Sequence, residues 1–282
     1  MIAITGATGH LGAHVLKKLI EEGTNPSEIL ALGRNEKKLE ELAKDLGVKT
    51  AKFDYTDPST IDAALSQPDN LLLISGSEVG QRYIQHKNVI DGAKKAGIKQ
   101  IVYTSLLKAD TSPLGLAPEH KQTEELLIDS GLNYTILRNG WYTENYTDQL
   151  PVMIENSGFV GCAKDAKISA APREDYAQAA AKVLTSSGHD KKTYELAGDE
   201  AFTLSELADA VSKAVKKEIK YTNLPEKDFT KILIDADLPE GFAQVLSSTE
   251  TYAQDGALFN DSKTLSRLIG RPTQTLKDVL SK

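Results

Sequence analysis

The stretch MIAITGATGHLG, residues 1–12, decides the fold. An apolar run of strand type, Ile2–Thr5, leads directly into three glycines, Gly6, Gly9 and Gly12, at the spacing G-x-x-G-x-x-G. Such glycines permit a tight turn, the close approach of a phosphate and the packing of a helix on the strand. A helix that begins after this loop directs its free N–H groups toward the phosphate. The stretch predicts a dinucleotide-binding loop, and a strand–helix turn without a ligand is the alternative.

Outward from the loop, short apolar runs alternate with amphipathic stretches over the first 140 residues. Several runs are apolar almost throughout, as is typical of strands buried on both faces. This alternation predicts a Rossmann-type, doubly wound parallel sheet of the α/β class, with helices on both faces. The predicted strands are Ile2–Thr5, Ile29–Leu32, Val48–Phe53, Asn70–Ile74, Gln100–Thr104 and Tyr134–Leu137, and the predicted helices are 10–22, 36–46, 58–66, 79–96 and 117–130.

After residue 140 the pattern becomes less regular. It predicts helices at 142–156, 173–187, 203–216, 225–236 and 239–253, with short strands at 158–160 and 193–196. Without a long Gly/Ser linker, the second part is expected to pack on the first. We therefore predict a dinucleotide-binding Rossmann domain at 1–140. A smaller mixed α/β annex at 141–282 would bind the substrate and exchange elements with the main sheet.

Composition narrows the classes of function. The chain has 282 residues, with 33 Lys and Arg against 40 Asp and Glu, a formal charge of −7. This acidic balance argues against nucleic-acid binding, and no apolar run is long enough to insert in a membrane. Cys162 is the only cysteine, which excludes an internal disulfide and a multi-cysteine metal site. We expect no signal peptide, no metal and a cytoplasmic location.

The cofactor is predicted from the end of the second strand, where NAD-binding proteins usually carry a carboxylate for the ribose 2′-hydroxyl. The segment here is LALGRN, which places Arg34 at that point. A guanidinium binds a 2′-phosphate in bidentate fashion, so NADPH is favoured over NADH. The alternative is a solvated loop charge. Asp54, after the third strand, is interpreted as an adenine acceptor or as a turn residue.

Four longer segments carry a resemblance to a known family: LLLISGSEVGQR at 71–82, YTSLLKADTSPLGLAPEH at 103–120, LRNGWYTENY at 137–146 and REDYAQAAA at 173–181. With the opening TGATGHLG, they resemble the NmrA-like NAD(P)H:quinone oxidoreductases of the atypical short-chain dehydrogenase group, with triphenylmethane reductases as a sister family. The resemblance covers the whole chain and implies a Rossmann-type fold, NADPH as cofactor and a small-molecule quinone as substrate.

The resemblance also implies a set of cofactor-binding residues. They fall in the glycine loop, at the arginine after the second strand, after the fourth strand, in the segment after the sixth strand and at the start of a later helix. The residues are Gly6, Ala7, Thr8, Gly9, His10, Leu11, Arg34, Ser75, Gly76, Ser77, Gly140, Trp141, Tyr142, Thr143, Glu144, Asn145 and Arg173.

The proton relay of most short-chain dehydrogenases is missing. These enzymes place a Tyr-x-x-x-Lys pair after a catalytic Ser or Thr. Thr104 and Ser105 stand at the Ser/Thr position, but Leu116 and His120 replace the Tyr and Lys. The remaining catalytic candidates are His120, Tyr142 and Asn145, and for His120 and Tyr142 a packing role is the alternative.

The missing relay favours an acceptor that needs little acid help. A ketone forms a strongly basic alkoxide when hydride arrives, whereas a reduced quinone is a delocalised phenolate. We therefore predict two-electron hydride transfer from NADPH directly to a quinone, without flavin. Two alternatives stay open: an NADP(H)-binding redox sensor without turnover, and a reductase of triphenylmethane-type dyes. A homodimer is also left open.

Overall fold

The computed structural model describes residues 1–281. Contacts divide this part of the chain into two compact units. The first consists of Met1–Ala109, Pro118–Asn139 and Arg173–Tyr194. The second consists of Asp110–Ala117, Gly140–Pro172 and the chain from Glu195 onward. The division into folding domains at 140/141 stays a prediction.

Nine strands occur in residues 1–281, and seven of them form one sheet in the order β3-β2-β1-β4-β5-β6-β8. Parallel pairing joins β1 to β2 on one side and to β4 on the other, so the strand order reverses at β1. The doubly wound sheet that the sequence predicts is thus confirmed. The strands are β1 (Ile2–Ile4), β2 (Ile29–Gly33), β3 (Lys49–Lys52), β4 (Asn70–Ile74), β5 (Gln100–Leu106), β6 (Tyr134–Asn139), β7 (Gly158–Gly161), β8 (Lys192–Leu196) and β9 (Lys220–Asn223).

The helices follow the strands of the first unit in regular alternation and dominate the second unit. In the described part of the chain none is long and apolar enough to cross a membrane. They are α1 (His10–Glu21), α2 (Glu36–Leu46), α3 (Pro58–Ala64), α4 (Arg82–Ala96), α5 (Ala117–Asp129), α6 (Glu144–Thr147), α7 (Leu150–Glu155), α8 (Arg173–Thr185), α9 (Leu204–Val215), α10 (Glu226–Asp235), α11 (Glu240–Ala253), α12 (Thr264–Ile269) and α13 (Leu276–Leu280), with a 3₁₀ helix at Pro26–Glu28.

The central strands are buried on both faces. Ile2–Ile4 and Leu71–Leu73 are inaccessible to solvent or nearly so, because helices cover both sides of the sheet. By contrast, edge strand β3 (Lys49–Lys52) is partly or fully exposed along its length. The hydrophobic core therefore holds β1 and β4 rigidly, and the segments that leave their carboxyl ends start from fixed points.

Two predicted helices differ from the structure. The stretch 142–156 forms two short helices, α6 and α7, because Pro151 lacks the N–H and the space that a helix interior requires and stands in the first turn of α7. The helix predicted at 79–96 begins at Arg82, since Gly80 adopts a φ of +87°. Strand β9 and helices α12 and α13 were not predicted.

Candidate functional site

The glycine loop joins β1 to α1 at the point where the strand order reverses. Gly6 adopts a φ of +60°, and its carbonyl accepts the N–H of Gly9 at 2.9 Å. The N-cap of α1 is Gly9, which has no side chain to cap the helix. The amino end of a twelve-residue helix thus faces the loop with bare backbone, the arrangement that binds phosphate groups.

A cavity of about 370 Å³ opens beside this loop, within the first unit. It brings together residues from the ends of β1, β2 and β4, as expected for a ligand site at the carboxyl edge of a parallel sheet. Nine of the predicted cofactor residues line it: Gly6, Thr8, Gly9, His10, Leu11, Arg34, Ser75, Gly76 and Ser77. Ala7 is buried, and its N–H donates to the carbonyl of Leu32 at 3.0 Å.

Several further lining residues were not assigned to the site by the sequence, among them Phe53, Tyr55, Glu78 and Gln85. Glu78 matters most, because one of its oxygens accepts a hydrogen bond from Arg34 Nη1 at 2.8 Å. Its other oxygen accepts from Gln85 Nε2, also at 2.8 Å. No local sequence pattern connects these two residues, because Arg34 and Glu78 are 44 residues apart.

The loop after β4 is held by side chains of α4. The N–H of Gly76 donates to His86 Nε2 at 2.9 Å, and its carbonyl accepts from Arg82 Nε at 2.6 Å. The Ser75 N–H donates to Thr104 Oγ1 at 3.0 Å. These bonds fix the direction of the peptide groups that border the cavity. A Cβ on Gly76 would come within 2.9 Å of Gln85 Oε1, so a side chain there would displace Gln85.

His86 is neutral, and its hydrogen bonds define its tautomer. Nε2 accepts from the backbone, so Nδ1 carries the proton and donates to Thr123 Oγ1 at 2.9 Å. The hydroxyl of Thr123 in turn donates to the carbonyl of Glu119 at 2.8 Å. Burial, reinforced by the nearby Arg82 cation, lowers the pKa of His86 to about 3.

Asp54 lines the cavity and also forms a turn, so the two interpretations of this residue are compatible. Its Oδ1 accepts the backbone N–H and the hydroxyl of Thr56 at 2.9 and 2.8 Å. The N–H bond from Thr56 lowers the pKa of the Asp54 carboxyl, and the charge of Arg34 adds to the shift. A carboxylate therefore faces the cavity as an acceptor.

Two of the residues at the relay positions, Ser105 and His120, are held in buried contacts of the first unit. His120 Nδ1 lies 2.9 Å from the hydroxyl of Tyr103, and burial lowers the pKa of His120 to about 3. The hydroxyl of Ser105 donates to Glu124, which also accepts two hydrogen bonds from Arg138 at 3.0 and 2.7 Å. The Ser105 proton is thus committed to a buried carboxylate.

The remaining predicted residues lie elsewhere in the chain. Gly140, Trp141, Tyr142, Thr143, Glu144 and Asn145 belong to the second unit, and Arg173 is the first residue of α8 in the first unit. Within the second unit, the Gly140 N–H donates to the carbonyl of Leu196 at 2.8 Å, and Tyr142 forms a bridge with Ala171. Their roles in binding, and those of Tyr142 and Asn145 in catalysis, stay predictions.

The first-unit cavity fits a dinucleotide phosphate. A Cβ on Gly12 would lie 2.3 Å from the carbonyl oxygen of Gly6, so glycine is required for the loop to fold back on the helix. The loop offers backbone N–H groups and a helix amino end, while Arg34 offers a cation that is 61% exposed at the rim. This donor set matches a diphosphate together with a further phosphate near Arg34.

Comparisons with known proteins identify the family of the chain. The NAD(P)H-binding family matches residues 6–187. Quinone oxidoreductase 2 of Escherichia coli K12 is 52% identical over 282 residues, which cover 100% of this chain and 98% of that protein. The crystal structure of an Escherichia coli NADPH-dependent quinone oxidoreductase complexed with NADPH superimposes with a TM-score of 0.95, covering 100% of this chain and 99% of that one.

A second solved structure is also similar. The Citrobacter triphenylmethane reductase complexed with NADP(H) is 33% identical, with a TM-score of 0.94, and the match covers 100% of this chain and 99% of the other. The family that the sequence motifs suggested is confirmed by these relatives.

Proposed function

This chain belongs to the NAD(P)H-binding family, and we propose that within this family it is an NADPH-dependent quinone oxidoreductase. The observation that carries the proposal is the 52% identity with quinone oxidoreductase 2, which extends over the full length of this chain. The similar structure in complex with NADPH supports the cofactor. The glycine loop, Arg34 and the loop after β4 line one cavity, as that cofactor requires.

The chain's own residues bind and orient the cofactor. The loop Gly6–Leu11 and the amino end of α1 hold the diphosphate through backbone N–H groups. Arg34 binds the 2′-phosphate, and Ser75–Ser77, braced by α4, border the nucleotide. We further propose that Gly140–Asn145 and Arg173 complete the binding site, as the family resemblance implies. NADPH supplies a hydride when it is bound.

The same chain needs no strong acid for this reaction. His120 and His86 are neutral and buried, and Ser105 donates its proton to Glu124. Since a quinone is reduced to a weakly basic phenolate, hydride can pass directly to it without flavin, and water can protonate the product. The chain then contributes mainly by positioning the two reactants. Tyr142 and Asn145 are the residues that we propose to contact the quinone.

The test is the loss of NADPH absorbance in the presence of a small benzoquinone. We expect oxidation well above the rate without protein, and a much lower rate in the variant Gly9→Val, whose side chain occupies the phosphate position. Circular dichroism and the melting temperature of Gly9→Val show whether it is folded. A wild-type chain that binds NADPH but does not accelerate its oxidation would contradict the reductase and support the redox sensor.

A second candidate, a reductase of triphenylmethane-type dyes, is favoured by the 33% identity with the Citrobacter enzyme. The two reductases share the cofactor and differ in the acceptor. Comparing kcat/KM for benzoquinones and for triphenylmethane dyes separates them. We expect the quinones to be preferred, in keeping with the higher identity to quinone oxidoreductase 2.

The proposal also includes the location of the protein, its partner and its oligomeric state. The single cysteine, Cys162, is buried, which is compatible with the reducing cytoplasm that we propose as the location. The proposed partner is the small-molecule quinone, without nucleic acid. A homodimer is tested by the molar mass of the protein in solution.

A further inference from the structure

Arg34, the residue that we assign to the 2′-phosphate, already has an anionic partner. Its Nη1 lies 2.8 Å from Glu78 Oε1, and the two side chains are 61% and 44% exposed. The pair joins the end of β2 to the loop after β4, and both residues line the same cavity. The guanidinium that should receive a phosphate is therefore engaged by a carboxylate.

Glu78 is held in this position from its other side. Its Oε2 accepts from Gln85 Nε2 at 2.8 Å, and Gln85 belongs to α4 and lines the cavity. The backbone nearby is anchored as well, since Glu119 accepts the N–H groups of Gly80 and Arg82, both at 3.0 Å. Glu78 is thus positioned by the fold, so the carboxylate stays next to Arg34 when the cation turns toward a ligand.

A carboxylate at this point opposes a 2′-phosphate in two ways. The ion pair between Glu78 and Arg34 must first break before Arg34 can bind the phosphate. The Glu78 carboxylate then remains close to a second anion, the 2′-phosphate itself. NADH carries a hydroxyl at the same position, so neither penalty applies to it. The ion pair is exposed and therefore weak, which makes the penalty a matter of severalfold rather than of several orders of magnitude.

We propose that Glu78 is a specificity-determining residue that holds Arg34 in an ionic latch and thereby limits the preference for NADPH over NADH. The inference rests on the proposed function, because it assigns Arg34 to the 2′-phosphate. It adds that a residue outside the expected cofactor set adjusts the strength of that contact. The latch opens when the 2′-phosphate replaces the Glu78 carboxylate on the guanidinium.

The experiment measures the dissociation constants of NADPH and NADH by calorimetry for the wild type and for Glu78→Gln. The amide keeps the size of the side chain and removes its charge. We expect NADPH to bind about three- to fivefold more tightly, from the strength of an exposed ion pair, with NADH changed by less than about twofold. The control is Glu36→Gln, which removes an equal charge two residues from Arg34 and whose carboxylate pairs instead with Lys52 at 3.1 Å.

The double variant Arg34→Ala/Glu78→Gln, compared with Arg34→Ala alone, shows whether Glu78 acts through Arg34. We expect most of the gain in NADPH affinity to vanish without the arginine. A full gain in that background would assign the effect to direct repulsion and overturn the latch, as would an equal gain in Glu36→Gln. An unchanged NADPH/NADH ratio in Glu78→Gln, with wild type binding NADPH, also overturns it. A wild type that binds neither cofactor overturns the proposed function itself.

Discussion

Arg34 is the residue through which the chain would distinguish NADPH from NADH. Replacing it with Ala removes the cation at the rim of the cavity, so NADPH should bind about 10- to 100-fold more weakly, as expected for a hydrogen-bonded charge pair. NADH should lose little affinity, since a ribose hydroxyl offers the guanidinium no charge. Calorimetric titration of both cofactors measures the two effects.

The matched control is Lys37→Ala, which removes an equal charge from an exposed position of α2, three residues beyond Arg34. It should change neither affinity by more than about twofold, because the Debye screening of exposed charges is strong at physiological salt. Equal losses of NADPH and NADH affinity in Arg34→Ala would show that the residue does not bind the 2′-phosphate.

Among individual residues, the sequence predicts those whose role follows from their immediate neighbours in the chain. The glycines and Arg34 could be found because a strand, a loop and a helix define their places within one βα unit. Glu78 and Gln85 could not, since Glu78 acquires its role by contact with Arg34, which follows another strand, and Gln85 by contact with Glu78. His86 likewise acquires its role only when α4 brings it within 2.9 Å of the Gly76 N–H.

The βα unit that carries the loop depends on glycine at its third position. In Gly12→Ala the added Cβ would lie 2.3 Å from Gly6 O and 2.7 Å from Ala7 Cα, both of them backbone atoms. The loop must shift, which should lower the free energy of unfolding by about 1–3 kcal/mol and weaken NADPH binding. Urea denaturation and calorimetry measure the two losses.

The control for this prediction is Gly241→Ala in α11. A Cβ there would meet no other atom of the described chain within 4 Å, and alanine favours the helix. The free energy of unfolding should stay the same or rise by up to about 1 kcal/mol. If Gly12→Ala were as stable as Gly241→Ala, the tight packing of the loop would be contradicted.

In the second unit, two side chains at the carboxyl end of α11 hold the backbone of one residue just after β7, Cys162. Glu250 accepts the N–H of Cys162 at 2.5 Å, and Gln254 donates to the carbonyl of the same residue at 2.8 Å. Burial raises the pKa of the Glu250 carboxyl from 4.5 to about 7, although the N–H bond from Cys162 opposes the shift. At a pH between 4.5 and about 7, the folded state therefore holds a proton on Glu250 that the unfolded chain has released.

Replacing Glu250 with Gln keeps an acceptor for the Cys162 N–H and removes the titration. A carboxyl whose pKa is raised on folding contributes full stability below the unfolded value of 4.5 and loses it as the pH rises through about 7. The gain of Glu250→Gln over wild type should grow by about 2 kcal/mol between pH 5 and pH 8. Denaturation followed by the fluorescence of Trp141, the only tryptophan and part of the same unit, measures it.

The control is Glu240→Gln, in the first turn of the same helix, where the side chain is exposed. It removes an equal charge from an exposed position, so its effect on the free energy of unfolding should be small. A pH-independent effect of Glu250→Gln would mean that the carboxyl is ionised throughout this range in the folded protein.

Sequence patterns predict an element well when its own residues define both ends. Helix α2 spans Glu36–Leu46, the range that the sequence pattern predicted. Asn35 caps its amino end, since the Asn35 side chain accepts the Lys38 N–H, and Gly47 caps its carboxyl end with a φ of +70°. Strand β9 escaped prediction because its residues, Lys220–Asn223, carry no buried apolar alternation and are held by pairing with β7. Its existence depends on a partner about sixty residues away in the chain, which no local pattern contains.

For the whole molecule, three buried groups with shifted pKa values contribute to the change of stability with pH in the acid range. His86 and His120 are kept neutral by burial, with pKa values of about 3 against 6.5 for an ordinary histidine. At about pH 5.5 the unfolded chain therefore binds nearly two more protons at these sites. Glu250 acts in the opposite sense, because at this pH the folded chain holds nearly one proton that the unfolded chain lacks.

The net difference for these three sites is 2 − 1 = 1 proton in favour of the unfolded chain. The combined contribution of these three groups should thus make the free energy of unfolding increase with pH at about pH 5.5, with a slope of about 1.4 kcal/mol per pH unit. In Glu250→Gln the opposing group is gone, so the slope should approach twice that value. Urea titrations of both proteins at half-unit pH steps, followed by circular dichroism, give the two slopes. Equal slopes would mean that Glu250 does not carry the opposing proton, and a slope near zero in Glu250→Gln would mean that the two histidines are protonated in the folded state.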